Sequence, residues 1–600
     1  MRSRADGSSA RVLLRLLPWL ARQRAMVALA LIAFLGARLL EASVPLFLRE
    51  AIDRIEASTG AGTGALDLTL PVLGIVACVV ARLFVVSAAR IAIRRAGIGV
   101  AFDLRQALYD RLQHQGAAFY ARHSVGDMMT RAVSDVGMIR RLISMGTILL
   151  VVMIYATIVG FAAMFWLAPE LAWLVAPPLP LVAWYAARAS RRMNESSTLV
   201  QSRLSKVTDR TQEAFGGIRT LQAMAREEGE RDRFARDNQA YATAFRRQAR
   251  INSAMSAWMP SLAALATLIV LGWGGHLVLT GEISTGTFVA FFAYVGMVVQ
   301  PMRVAGFLVN VLQRAAVSTG RVFEILDAPD EIADRPSGRT PELADGDLRL
   351  EGVTFTYQGA ARPALEDLDL HVAPGETLAV MGRIGAGKST LLALFARLLE
   401  PGTGRVLLDG HPVADWPLRA LRERVALVPQ DAFLFGQPLQ TNLSYDDPER
   451  DPEAILDAAR LADLAGTIDA LPRGLATLVG ERGVTLSGGQ RQRTTIARGV
   501  IRDAPVLLLD DCFAAVDTDT EERILANLIE RRGRRTTVLV THRVSTARHA
   551  DRILVLADGR IAELGDHETL MRGDGAYAAL AREQAEPSPP AAASQAETDA

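Results

Sequence analysis

The sequence predicts a membrane α-helical domain of six transmembrane helices followed by an α/β P-loop domain. Two observations predict the first part. Residues 143–167 and 251–281 contain no Asp, Glu, Lys or Arg, and half of all residues in the chain are hydrophobic. Buried helices of water-soluble proteins rarely stay uncharged for so long. The second part rests on Gly382-Arg383-Ile384-Gly385-Ala386-Gly387-Lys388-Ser389, which fits the phosphate-binding pattern G-x-x-x-x-G-K-[ST]. A chain of 600 residues also exceeds what one hydrophobic core organises.

Six segments have the length or near-length to cross a hydrocarbon layer of roughly 30 Å. They lie near residues 25–48, 68–89, 143–167, 171–187, 253–281 and 283–311. Before the first come Arg2, Arg4, Arg11, Arg15, Arg22 and Arg24, which places residues 1–24 in the cytoplasm by the positive-inside rule. The first apolar run is too long for a signal peptide and lacks a small-residue cleavage site, so it is expected to be retained as a span. The short connections at Ala168-Pro169-Glu170 and Glu282 carry no Arg or Lys, whereas residues 90–142 and 188–252 are rich in Arg. Bare short loops outside and basic long loops inside form one consistent topology.

The long connections also carry a helical pattern. Leu104, Leu108 and Leu112, then Ile218, Leu221 and Met224, recur at helical spacing. Spans two to five are therefore expected to continue as helices to two cytoplasmic tips. Arg38, Glu41, Arg82, His276 and Arg303 lie within spans. Such groups line a polar cavity, pair between helices or snorkel to an interface, and the sequence leaves these readings open.

Net charge is +1, so no global field argues for nucleic acid as a partner. Cys78 and Cys512 cannot form a disulfide framework. A polar stretch at residues 327–347 separates the halves. The domain beyond it is expected to span 348–583, and the tail 586–600 is expected to be disordered because it has almost nothing apolar to bury.

In the second half, residues 376–381 read as a buried strand and 389–395, with Thr390 near the start, as the helix after it. Glycines let the loop between them wrap phosphate oxygens, and its N–H groups point inward at a helix N-terminus. Of 66 basic residues only Lys206 and Lys388 are lysines. A chain that otherwise uses Arg thus uses a compact point charge under the expected phosphates. Further motifs come in a set order. Tyr357 falls in the strand-like residues 353–357, and Gln430 comes after the strand 425–428. Then come Leu486-Ser487-Gly488-Gly489-Gln490, the run 506–509 ending in Asp510-Asp511, Ala515-Val516-Asp517, and His542 after 538–541.

With this motif set the chain resembles the ATP-binding cassette (ABC) transporters of the exporter type, as a half-transporter with six spans and one nucleotide-binding domain. The resemblance covers about residues 12 to 583 and is specific, because Leu486-Ser487-Gly488-Gly489-Gln490 after a phosphate loop is not produced by other P-loop folds. It implies ATP and Mg²⁺ as ligands, an integral multi-pass location in a bacterial plasma (inner) membrane, and a cytoplasmic nucleotide domain. Two such domains would close head to tail. Each ATP would lie between the phosphate loop of one half-transporter and the Ser487–Gln490 segment of the other, with Asp517 alongside.

Carried over by residue, Tyr357 looks like the aromatic that stacks on adenine, although an ordinary strand tyrosine is the alternative. Lys388 would reach the β- and γ-phosphates. Ser389, Gln430 and Asp510 look like Mg²⁺ ligands, direct or through water, and His542 resembles the switch histidine that contacts the γ-phosphate. Glu481 falls in the segment that exporters use to touch the partner's cytoplasmic tips.

One position departs from the family. Asp511 stands where the competent site has Glu to polarise the attacking water. Its carboxylate falls short by about one C–C bond, and a displacement near 1 Å can cost on the order of a hundredfold in rate. With its signature segment intact, the chain resembles the degenerate-site subunit of heterodimeric exporters. A homodimer, an exporter-fold importer and an ATP-gated regulatory or channel subunit are the alternatives. The substrate is expected to be amphipathic, a drug, lipid or similar. Peptide maturation is not expected, because only about two dozen residues precede the first span.

Overall fold

The structure is a computed structural model that describes residues 11–61, 67–302, 305–334, 345–480, 483, 485–531 and 533–585. Glu481, Arg303, the tail from 586 and most of the polar stretch before the second domain lie outside the described residues. The chain divides into two compact units, residues 1–113 with 124–328 and residues 114–123 with 329–600.

The described part of the first unit is helices joined by short turns. Three helical stretches are long and apolar enough to cross a membrane: Arg24–Ser58, Thr69–Gln113 and Val125–Leu167. Ala264–Leu279 and Thr285–Gln300 are shorter apolar helices. The helix from Thr69 runs unbroken to Gln113, and Glu227–Ile269 likewise joins a charged stretch to an apolar one. One expected span is interrupted. Residues 171–187 fall on Pro169–Val175 and Pro178–Gly216, separated at Ala176-Pro177. Prolines there lack the N–H that a continuous ladder needs. The expected span at 283–311 covers Thr285–Met302 and the start of Ala305–Leu326, with residues 303–304 outside the described residues.

Close approach and buried charge hold this unit together. A Cβ on Gly160 would lie 2.5 Å from Val298 Cγ2, so only glycine lets these two helices meet there. Tyr294 donates from its hydroxyl to the Ala42 carbonyl at 2.5 Å. Elsewhere in this unit, Arg131 donates to Asp127 at 2.7 Å and to Glu324 at 2.6 Å. Ser318 and Arg321 hold Asp135 and Asp127, at 2.8 and 2.6 Å respectively. This ion network fastens a π-turn at Arg131–Asp135 to the helix Ala305–Leu326.

Among its described residues the second unit has ten strands in two sheets. They are β1 (Leu348–Phe355), β2 (Leu365–Val372), β3 (Thr377–Gly382), β4 (Thr403–Leu408), β5 (His411–Pro412), β6 (Val425–Val428), β7 (Val506–Asp510), β8 (Thr536–Val540), β9 (Arg552–Ala557) and β10 (Arg560–Gly565). An antiparallel sheet has the order β2-β1-β4-β5, and the larger sheet has the order β10-β9-β3-β8-β7-β6. In the larger one β9, β3, β8, β7 and β6 are parallel, and only β10 runs against them. Helices on both faces bury the central strands; every residue of β8 is buried. Ligand sites in such sheets form outside the carboxyl ends of the strands. Adjacency of β3, β8, β7 and β6 therefore brings their C-terminal loops side by side.

Candidate functional site

Four strand ends supply the site. The phosphate loop leaves β3, His542 lies just past β8, Asp510 ends β7 with Asp511 next, and Gln430 lies just beyond β6. β3 starts at Thr377 rather than Glu376, because the Glu376 carboxylate accepts from the Ala373 N–H at 2.8 Å and closes the preceding turn. The loop ends at Gly387, whose φ of +101° caps the helix Lys388–Phe395. A Cβ there would lie 2.5 Å from the Ala364 carbonyl oxygen, so no other residue fits without a shift.

Lys388 folds back over the loop, its Nζ donating to the carbonyls of Gly382 at 2.7 Å and Arg383 at 3.0 Å. Burial pushes its pKa down, by more than the carboxylates of Asp511 and Asp510 push it up. An arriving phosphate would act in the same sense as those carboxylates and secure the ammonium form. Ser389 Oγ donates to Asp510 Oδ1 at 3.0 Å. Burial raises the Asp510 pKa, the Ser389 hydrogen bond opposes that, and Asp511 reinforces it. Ser389 and the two carboxylates present the hard oxygen donors that suit Mg²⁺, which keeps several waters and adds phosphate oxygens.

Asp511 is the hub. Its Oδ1 lies 3.0 Å from His542 Nδ1, and its Oδ2 accepts from Gln430 Nε2 at 3.4 Å. The residue has φ +41°, a left-handed conformation that aspartate tolerates better than most, and its N–H donates to the Val540 carbonyl at 3.1 Å. So Lys388, Ser389, Asp510, Asp511, Gln430 and His542 converge.

Other expected site residues stand apart. Tyr357 lies beyond β1, which ends at Phe355 after register irregularities at Val353 and Phe355, and Gly359 turns the chain at φ +85°. The expected strand at 353–357 is thus two residues too long. Tyr357 is 45% exposed, and its hydroxyl pairs with Thr390 Oγ1 at 3.0 Å. Ser487 and Gln490 form a reciprocal cap on the helix Gly488–Val500, with bonds of 3.3 and 2.9 Å. Among the described residues no hydrogen bond joins this segment to the phosphate loop. Asp517 caps Thr518–Glu530 by accepting from the Thr520 N–H at 3.1 Å, and the bonds from Thr520 hold its pKa down.

Two positioning residues carry no sequence signature of their own. Gln492 accepts from the Ala515 N–H at 2.7 Å, tying the helix Gly488–Val500 to the turn before Asp517. Gln584, in the helix Ala576–Ala585, donates to the His542 carbonyl at 2.5 Å and accepts from the Val544 N–H at 2.9 Å. No local pattern announces either, since each contact joins distant segments. The repeated glutamine after Leu486-Ser487-Gly488-Gly489-Gln490 was the one available hint.

Comparison with known proteins agrees with this geometry. Residues 27–302 match the family described as the ABC transporter transmembrane region, and residues 365–514 match the ABC transporter domain family. An ATP-dependent lipid A-core flippase of Burkholderia orbicola is 32% identical over 575 residues, 96% of each chain. The chain belongs to the ABC transporter family. A Bacillus subtilis ABC transporter ATP-binding protein, YknU, is 32% identical over 481 residues, 80% of this chain and 82% of YknU. A bacterial Atm1-family ABC exporter solved with ATP bound superposes with a TM-score of 0.78 at 26% identity, covering 95% of this chain and 100% of that one. This ABC transporter is therefore an integral membrane protein of the exporter type. Its nucleotide-binding domain binds ATP and couples hydrolysis to transport.

Proposed function

We propose that the chain is the degenerate-site half of a heterodimeric exporter that moves an amphipathic substrate, a drug or lipid, across a bacterial plasma membrane. Residues 1–24 and the nucleotide domain face the cytoplasm in this reading. ATP with Mg²⁺ lies on the loop Gly382–Ser389, with Lys388 on the β- and γ-phosphates, Thr390 at the helix start and Tyr357 against the adenine. Ser389 and Asp510 hold the metal, with Gln430 through water, and the metal neutralises phosphate charge. Ser487, Gly488, Gly489 and Gln490 meet the γ-phosphate bound to the partner, with Asp517 beside them. ATP binding draws the two domains together and turns the helix bundle outward; hydrolysis resets it.

The observation that carries this reading is Asp511 beside an intact signature segment. In the homodimer reading Asp511 is itself the base, and its 3.0 Å contact with His542 favours that alternative. Steady-state ATPase of Asp511→Gln, with and without a partner half carrying Glu at that position, separates them. The heterodimer keeps its rate almost unchanged in Asp511→Gln and stops when the partner's Glu becomes Gln. A general base is worth about 10²–10⁴-fold, so a collapse caused by Asp511→Gln with the partner present overturns the proposal.

A further inference from the structure

Two arginines in the membrane unit share a single carboxylate. Arg38 Nη1 donates to Glu41 Oε2 at 2.6 Å, and Arg82 Nη2 lies 3.2 Å from the same oxygen. All three line a cavity of about 630 Å³, where Gln300 adds a polar group and Val79 and Met297 add apolar wall. That volume lies within the roughly 300–1,000 Å³ of small-molecule sites. The cavity has no other ionisable group among its described lining residues.

Position and charge count argue against the bland readings. At about 1.5 Å per residue, each arginine sits roughly 10 Å or more inside the ends of its apolar run, too deep to snorkel comfortably. Interhelical pairing alone calls for one cation per anion, yet among the described lining residues two guanidiniums face one carboxylate, a net charge of +1. Arg82 is the less satisfied partner. Its side chain is 40% exposed, and its Nε is buried without a hydrogen-bond partner among the described residues. A charge so deep in an apolar unit calls for an anion.

We propose that this cavity binds the anionic head, phosphate or carboxylate, of a membrane-partitioned amphiphile, with Arg82 and Arg38 as its fork and Glu41 as an internal counter-ion that the head competes with. The proposal names the substrate class of the export reading above and rests on it. Glu41 keeps the empty site tolerable in the bilayer. The incoming head takes over Arg82 first, since Arg82 holds Glu41 less closely than Arg38 does. The walls around Val79 and Met297 take the beginning of the acyl or alkyl body.

The test is equilibrium binding of radiolabelled dodecyl phosphate to the full chain, with its partner half where assembly requires it, in phosphatidylcholine nanodiscs without nucleotide. Failure here leaves the ATPase prediction for Asp511 untouched, and failure there leaves this measurement standing. Arg82→Gln should weaken binding about tenfold or more, the loss of a charge-assisted contact. Glu41→Gln should strengthen it several-fold by removing the competing carboxylate. An ion pair that only holds helices together predicts that both changes act in the same direction. That outcome, or equal binding of dodecyltrimethylammonium, overturns the proposal. Inorganic phosphate should not compete at the same concentration; competition would mean a soluble-anion site and overturn the amphiphile assignment. If Arg82→Gln does not assemble, Arg82→Lys keeps the charge without the fork and should weaken binding less, while unchanged affinity in both it and Glu41→Gln overturns the proposal.

Discussion

Leu83 and Val538 are both aliphatic, and the two units treat them in opposite ways. Leu83 is 64% exposed within the helix Thr69–Gln113, with Phe84 beside it at 69%, whereas Val538 is fully buried in β8. Only 6% of the most apolar window of Thr69–Gln113 is buried inside the structure. In one unit apolar side chains hide from water against each other; in the other they face out, where hydrocarbon is the solvent. Polar groups invert in the same way. The nucleotide unit gathers Lys388, Asp510, Asp511 and His542 at the carboxyl ends of its parallel strands, while the membrane unit pairs Arg38, Glu41 and Arg82 beside a cavity. In each unit the candidate site sits where the local solvent rule is broken.

The strongest way to sharpen the comparison is at the nucleotide unit, where placement is set atom by atom. Ser487→Arg should lower the ATPase rate of the complete transporter by about a hundredfold or more, because misplacing a group at a reacting phosphate by about 1 Å already costs that much. The Ser487–Gln490 cap would open, and the long guanidinium would fill the space proposed for the partner's γ-phosphate. A steady-state assay that keeps a third of its rate would sink the head-to-tail assignment.

Much of that unit was legible, and the reason is physical. Phosphate binding needs glycine where φ is positive, as at Gly387, and a lysine within reach, so the residue types are nearly forced. The parallel order of β3, β8, β7 and β6 then brings the motif ends together. The limit of strand β1 was less legible, because a register irregularity and the turn at Gly359 decide it, and neither has a period. In the membrane unit the existence of long helices was readable from uncharged length. The π-turn at Arg131–Asp135 and the ion network across to Glu324 were not, since those partners are distant in sequence. The break at Ala176-Pro177 had its signal in the run of prolines, which hydropathy alone overlooks.

A second test attacks the inversion itself. Leu83→Asp should cost about 2.5–3.5 kcal/mol of membrane integration, the penalty for a carboxylate near a helix centre. Leu83→Ala should cost little, because lipid fills the space a smaller side chain leaves. Val538→Ala, in contrast, should destabilise the nucleotide unit by about 2 kcal/mol through the cavity it opens. Protease protection in membrane vesicles reads the first pair, and thermal unfolding of the full transporter reads the second. If Leu83→Ala destabilised as much as Val538→Ala, Leu83 would be packed against protein, and the contrast between the units would fail at that helix.

The smallest expected effect concerns Gln584, which no motif marks and which lies at the far end of the nucleotide unit from the phosphate loop in sequence. Its amide holds His542 through the carbonyl oxygen and Val544 through the N–H, so it fixes the backbone that aims the imidazole at Asp511. Gln584 is exposed, and water can replace both bonds in part. Each hydrogen bond of this kind is worth about 0.5–1.5 kcal/mol. Gln584→Ala should therefore lower turnover only about threefold to tenfold, with ATP affinity almost unchanged, since Lys388 and the loop carry the binding. Gln584→Glu separates aiming from mere stability: it keeps an acceptor for the Val544 N–H but loses the donor to His542. Turnover near that of Gln584→Ala with near-normal thermal stability would identify the His542 contact as the one that matters. Full activity in both variants would mean that the His542 backbone is held without Gln584.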